Sequence, residues 1–143
     1  MKKYLVTAAI LFAAIASYAQ CDKPSVFTSS KTEYLNAAMT VQNSVDEKTT
    51  IEISKAAVTI APGNGDMKMT IAITAQDCNW KAAYKEGKSV IKGTMATPDG
   101  SATHNVTLTI EGKEGKLTVL AELEDMPDRK IRVQADAFGE KKM

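Results

Sequence analysis

Histidine is nearly missing from this sequence, with His104 the single one among 143 residues. Cysteine occurs twice, as Cys21 and Cys78. A zinc site draws on more of these two residue types than are present, so no metal and no cofactor is expected. A Ser-His-Asp site would depend on His104. Ser101 is close in sequence but lacks the glycines of a nucleophile elbow, and His104 reads as an exposed residue at the start of a strand. A basic excess is also lacking: 18 basic residues stand against 17 acidic ones, which gives no footprint for nucleic acid. Aromatics are few, with one Trp, three Phe and four Tyr, a thin supply for a sugar-stacking platform. Beyond the N-terminus no apolar run approaches the roughly 20 residues of a membrane-spanning helix.

The N-terminus is different in kind. Met1-Lys2-Lys3 precedes an apolar run from Tyr4 to Ala16, and Ser17-Tyr18-Ala19 supplies small residues at the cut positions. That is the layout of a secretory signal peptide. Residues 1–19 are therefore set apart from one domain over 20–143, and the chain is expected to be secreted or periplasmic. Cleavage leaves 16 of the 18 basic residues against all 17 acids. In an oxidising compartment an even pair of cysteines reads as a disulfide, Cys21–Cys78. Cys21 also raises a lipid anchor as the lesser alternative. The residues around it, Tyr18 and Gln20, depart from the lipoprotein pattern.

From Thr49 onward the sequence alternates with a period of two, the mark of half-buried strands. Ile51 and Ile53 alternate with Thr50, Glu52 and Ser54. Ala56, Val58 and Ile60 continue in the opposite phase, which requires a tight turn or a bulge at Ser54-Lys55. Pro62-Gly63-Asn64-Gly65-Asp66 is a turn. Gly63-Asn64-Gly65 precedes a strand rather than a helix, so it is no dinucleotide fingerprint. Met67, Met69, Ile71, Ile73 and Ala75 then share one face. Ile91, Gly93 and Met95 follow on the next strand. Further on, Val106–Ile110, Leu117–Leu123 and Ile131–Ala137 alternate across turns at Pro98-Asp99-Gly100, Gly112–Gly115 and Asp125–Asp128. Residues 22–48 are less legible. Ser30-Lys31-Thr32-Glu33 fits a helix capping box, whereas Met39, Val41 and Val45 fit a strand. The balance favours a hairpin, with a helix in 31–43 as the alternative.

Successive strands joined by short turns pair antiparallel. An all-β, up-and-down meander of about eight strands is expected, closing into a small barrel to hide its edges, with a β-sandwich as the alternative. Together with Thr107–Gly112 and Leu117–Leu123, this series of hairpins in a short exported chain resembles the lipocalin-like domains of small exported bacterial proteins. The resemblance implies a barrel and a ligand held inside it. It carries over no site residue.

One stretch interrupts the strand pattern. Asp77–Lys88 holds Cys78, the lone Trp80, and Tyr84, flanked by Lys81 and Lys85. It reads as a long loop, fixed by Cys78 and presenting Trp80, Tyr84, Lys81 and Lys85 as ligand-binding residues at a barrel mouth. The competing reading has Trp80 filling one end of the core. The carboxylates Glu122, Glu124, Asp125 and Asp128 are scattered over a polar face and a turn rather than set across a cleft. Asn105-Val106-Thr107 is a glycosylation sequon, but it lies within a strand.

No catalytic constellation is found. The expectation is a non-catalytic exported protein that binds a small apolar ligand. The alternative is an interaction or inhibitor module that binds a protein or glycan through Trp80, Tyr84 and the turns at 98–103 and 125–129.

Overall fold

The computed structural model describes residues 23–63, 68–97 and 100–141. They form eleven strands and no helix. These are β1 (Ser25–Ser29), β2 (Thr32–Leu35), β3 (Val41–Val45), β4 (Thr49–Ile53), β5 (Ala57–Pro62), β6 (Met69–Ala82), β7 (Glu86–Ala96), β8 (Thr103–Lys113), β9 (Lys116–Leu123), β10 (Met126–Gln134) and β11 (Ala137–Glu140). All belong to one antiparallel sheet, in the order β11-β1-β4-β5-β6-β7-β8-β9-β10-β2-β3. The all-β antiparallel class is as expected; consecutive strands are neighbours from β4 to β10, whereas β1 pairs with β4 and β11, and β2 with β10. The two-sheet sandwich is not formed. No pairing joins the end strands β11 and β3, and eleven strands stand where about eight were expected.

Breaks within longer segments account for the higher count. Thr28 of β1 opposes Ala137 of β11, and Thr32 of β2 opposes Val133 of β10. The chain thus advances four residues on each side of the break and keeps register. At the break, Ser29 Oγ donates to the Lys31 carbonyl at 2.9 Å. Opposite, the Asp136 amide donates to the Thr28 carbonyl at 2.7 Å and the Ala135 amide to the Leu117 carbonyl at 2.8 Å. Backbone groups that leave the regular ladder are in this way still satisfied.

The helix alternative for 31–43 is corrected to a β2–β3 hairpin. Thr32 and Glu33 do not cap a helix. Thr32 turns inward and is buried, while Glu33 faces out and accepts a hydrogen bond from Arg132 Nε at 3.2 Å. Asn36 makes the turn: its Oδ1 accepts from the amides of Ala38 and Thr40, each at 3.0 Å. Met39 takes a left-handed conformation with φ 66°. The side-chain bonds of an Asx turn outcompete the weak helical pattern. The phase change at Ser54-Lys55 is a tight turn, closed by the Ser54 amide donating to the Ala57 carbonyl at 2.9 Å. The turn expected over 62–66 and the one at 98–100 fall partly outside the described residues.

The inward faces form a single core. It includes Phe27, Ile51, Val58, Ile71, Ile91 and Leu108, contributed by β1, β4, β5, β6, β7 and β8. Two expected faces need correction. The register of β6 shifts between Ile73 and Ala75, so Ala75 is exposed and Cys78 and Trp80 turn inward instead. At the break before β11 the phase changes again: Ala137 is exposed and Phe138 packs on the core. One residue of bulge exchanges the two faces of a strand.

Candidate functional site

Asp77–Lys88 is not a loop. β6 runs on to Ala82, β7 begins at Glu86, and the connection is a tight turn. Tyr84 occupies that turn with φ 61°. The inner face of this hairpin carries the aromatic cluster. Phe138 of β11 sits at its centre, with ring centroids 5.6 Å from Phe27, 6.1 Å from Trp80 and 5.0 Å from Tyr84. Strands β11 and β6 are four places apart in the sheet order, so the sheet curls strongly enough to bring its inner faces together.

Trp80 is 2% exposed, and its Nε1 donates to the buried Ser89 Oγ at 2.7 Å. A void of only about 10 Å³ borders Ser89, Ile91, Ile110 and Phe138. That is about the space of one water molecule. This part of the interior is solid, and Trp80 offers no face to a partner. The remaining expected ligand-binding residues separate from it. Lys81 and Lys85 are exposed, and Tyr84 is half-buried. Tyr84 and Lys85 border a surface hollow of about 570 Å³ shared with Glu86, Glu114 and Leu117. Burial, and secondarily the charge of Glu140, push the Tyr84 phenol above its ordinary value of 10.0.

No described cysteine is a free thiol. Cys78 Sγ lies 3.4 Å from Ser89 Oγ, beside the tryptophan. Cys21, its expected partner, lies outside the described residues, as do residues 1–19.

The other residues with chemical potential are engaged pairwise. His104 Nδ1 lies 2.7 Å from Asp125 Oδ2, and Ser101 Oγ lies 3.5 Å from Thr97 Oγ1. Glu122 pairs with Lys130 at 3.1 Å, and Glu124 accepts from Asn105 Nδ2 at 2.9 Å. Among the described residues no group of three or more His, Cys, Asp and Glu is placed to hold a metal ion. No helix of the described residues is long and apolar enough to cross a membrane.

A second part of the interior is open. An apolar cup of about 110 Å³ lies among β2, β4, β5, β6, β8, β9 and β10. Ile51, Ile60, Leu108, Val119, Ile131 and Val133 line most of it. Its wall also carries Thr32 and Thr49, each 4% exposed, while Tyr34 at 37% exposure and the half-buried Glu47 stand nearer solvent. The two threonine hydroxyls lie 3.5 Å apart, a long hydrogen bond, and have no other among the described residues. The sequence reading missed Thr32, Thr49 and Glu47. Alternation could have flagged Thr49 as sharing a face with Ile51 and Ile53. Nothing marked Thr32 as its neighbour.

No family model matches the chain, and no curated protein or solved structure matches it.

Proposed function

We propose that this chain is an exported, non-catalytic binding protein that holds a small apolar ligand inside a lipocalin-like barrel. The observation that carries the reading is the 110 Å³ cup within an otherwise filled core. A dry apolar cavity of about 150 Å³ binds benzene, and the cup, smaller at about 110 Å³, is bordered by the partly exposed Tyr34 and Glu47. The ligand is therefore compact, well below the 300–1,000 Å³ that drug-sized molecules occupy.

The barrel rests on the register of the broken segments. β1 and β2 are consecutive pieces of chain, yet β1 lies near one end of the sheet order and β2 near the other. Both run along the consecutive pieces β10 and β11 without a change of register. A sheet that wraps once and splits at these breaks accounts for both placements. With these two breaks bridged, and also the one between Val45 of β3 and Thr49 of β4, such a barrel has eight strands, the size at which the interior is just filled by side chains or holds one small ligand.

Export follows from the reading of residues 1–19 as a signal peptide. In the compartment this implies, a Cys21–Cys78 bond would tie the mature N-terminus to the hairpin that carries Trp80.

Native mass spectrometry of the exported protein tests the reading. The expected result is a one-to-one complex with a small apolar molecule, retained or added, that an Ala121→Phe substitution in the cup wall abolishes. A protein that binds none of a panel of compact hydrocarbons, alcohols and amines overturns it.

The interaction module remains as a second reading on one specific observation. Tyr34, Met39 and Val41 are large, exposed and clustered at the β2–β3 hairpin, beside the outermost strand. Concentration-dependent self-association or partner capture that Val41→Lys removes would favour it; an unchanged monomer counts against it.

A further inference from the structure

We infer that the cup selects a ligand with a hydrogen-bond-donating head, a compact organic amine, and discriminates against carboxylates. The inference rests on the cup's being a binding site, as proposed above.

The lining is lopsided. Across β5, β8, β9 and β10 it is apolar, with Ile60, Leu108, Val119 and Val133. On the side of β2 and β4 it carries Thr32, Tyr34 and Thr49, with Glu47 of the β3–β4 connection beside them. A buried hydroxyl offers one donor and two acceptor lone pairs. The two threonines spend little of this capacity on each other at 3.5 Å. Their backbones lie within the sheet, Thr32 opposite Val133 and Thr49 opposite Ser29. What the buried threonines have to spare is therefore mostly acceptor capacity; Glu47 adds to it, and Tyr34, nearer solvent, brings one phenol donor.

The cations nearby are turned away. Arg132 pairs with Glu33, and Lys130 pairs with Glu122. Lys48, next to Glu47 in sequence, is exposed and does not line the cup. No lysine or arginine is among the described lining residues. A carboxylate entering this space would meet an acid and no counter-charge, and an unpaired buried charge is costly. An ammonium head reaches acceptors on the threonine side while its hydrocarbon body lies on the apolar side. A neutral hydroxyl head is intermediate, since it can donate to one threonine and accept from the other but gains nothing from Glu47.

Amide-resolved NMR titration with pentylamine, pentan-1-ol and pentanoate decides the matter. The expected result is shifts at Thr32, Thr49 and Leu108 with all three or with the first two, and pentylamine at least about tenfold tighter than pentanoate, the penalty of an unpaired charge. Glu47→Gln, a change at a partly exposed site, should narrow the gap between amine and acid while leaving pentan-1-ol unaffected. Thr32→Val should weaken amine and alcohol alike. If pentanoate binds as tightly as pentylamine, the head-group inference is overturned while the cup remains a binding site. If none of the three shifts these amides, the binding reading itself falls, and this inference with it.

Discussion

Gly87 stands directly opposite Trp80 across the β6–β7 hairpin, and the tryptophan occupies the space where a side chain would begin. A Cβ on Gly87 would lie 2.6 Å from the Asn79 carbonyl oxygen and 2.8 Å from Trp80 Cδ2, at a φ of 149°. The largest side chain of the core is thus admitted by the smallest residue of the facing strand. Gly87→Ala should destabilise the protein by about 2–4 kcal/mol, through overpacking and a strained backbone. Urea denaturation followed by Trp80 fluorescence reads this directly. An unchanged midpoint would contradict the packing described.

The tryptophan's polar edge makes a separate demand. Trp80 Nε1 has Ser89 Oγ as its acceptor within the core. Ser89→Ala leaves a buried donor unsatisfied, at a cost of about 1–3 kcal/mol. In a Trp80→Phe background the same substitution should cost much less, because no indole donor remains. A double-mutant cycle measures the difference, and strict additivity would argue against the bond.

Tyr84 gives the hairpin a pH signature. Burial first, and the negative charge of Glu140 second, raise the phenol above its ordinary value of 10.0. Above that value the unfolded chain loses the proton while the folded chain still holds it, so stability declines as pH rises. Phenolate absorbance should show a late-titrating group that disappears in Tyr84→Phe, and the variant's stability should fall less steeply above pH 10. A titration identical in both proteins would contradict it.

The expected disulfide has its own test. Joining Cys21 to Cys78 closes a loop worth roughly 4 kcal/mol in the chain-entropy model. The mature protein should weigh two daltons less than its reduced form, and reductant should lower its urea midpoint. Absence of the mass difference would remove the bond from the account.

Much of the fold is legible in the sequence because a strand records its two faces in alternate residues. Ile51 and Ile53, Val106 to Ile110, and Ile91 to Met95 point inward as the pattern indicates. Legibility ends where a single residue interrupts the period. The bulge after Ile73 reverses the phase, so Cys78 and Trp80 fall on the inner face of a strand that the pattern seemed to end. The same kind of break hides Phe138, the centre of the aromatic cluster, behind the apolar Ala137.

The cup was illegible for a different reason. Periodicity reports which face a residue occupies, not whether the facing side chains meet. Ile51, Leu108 and Val133 would serve equally in a solid core, and the gap among them is a property of how strands cross. Thr32 and Thr49 come together because each lies at the break of its segment: Thr49 of β4 opposes Ser29 of β1, and Thr32 of β2 opposes Val45 of β3.

The central claim is that the cup takes up a compact apolar molecule. The most direct measurement is an amide-resolved NMR titration with toluene, run on the native protein and on Ala121→Phe. The account predicts saturable shifts confined to cup residues such as Thr49, Leu108 and Val119, absent in the variant although it remains folded. Shifts that are missing from the native protein, or that persist unchanged when the cup is filled, would contradict it.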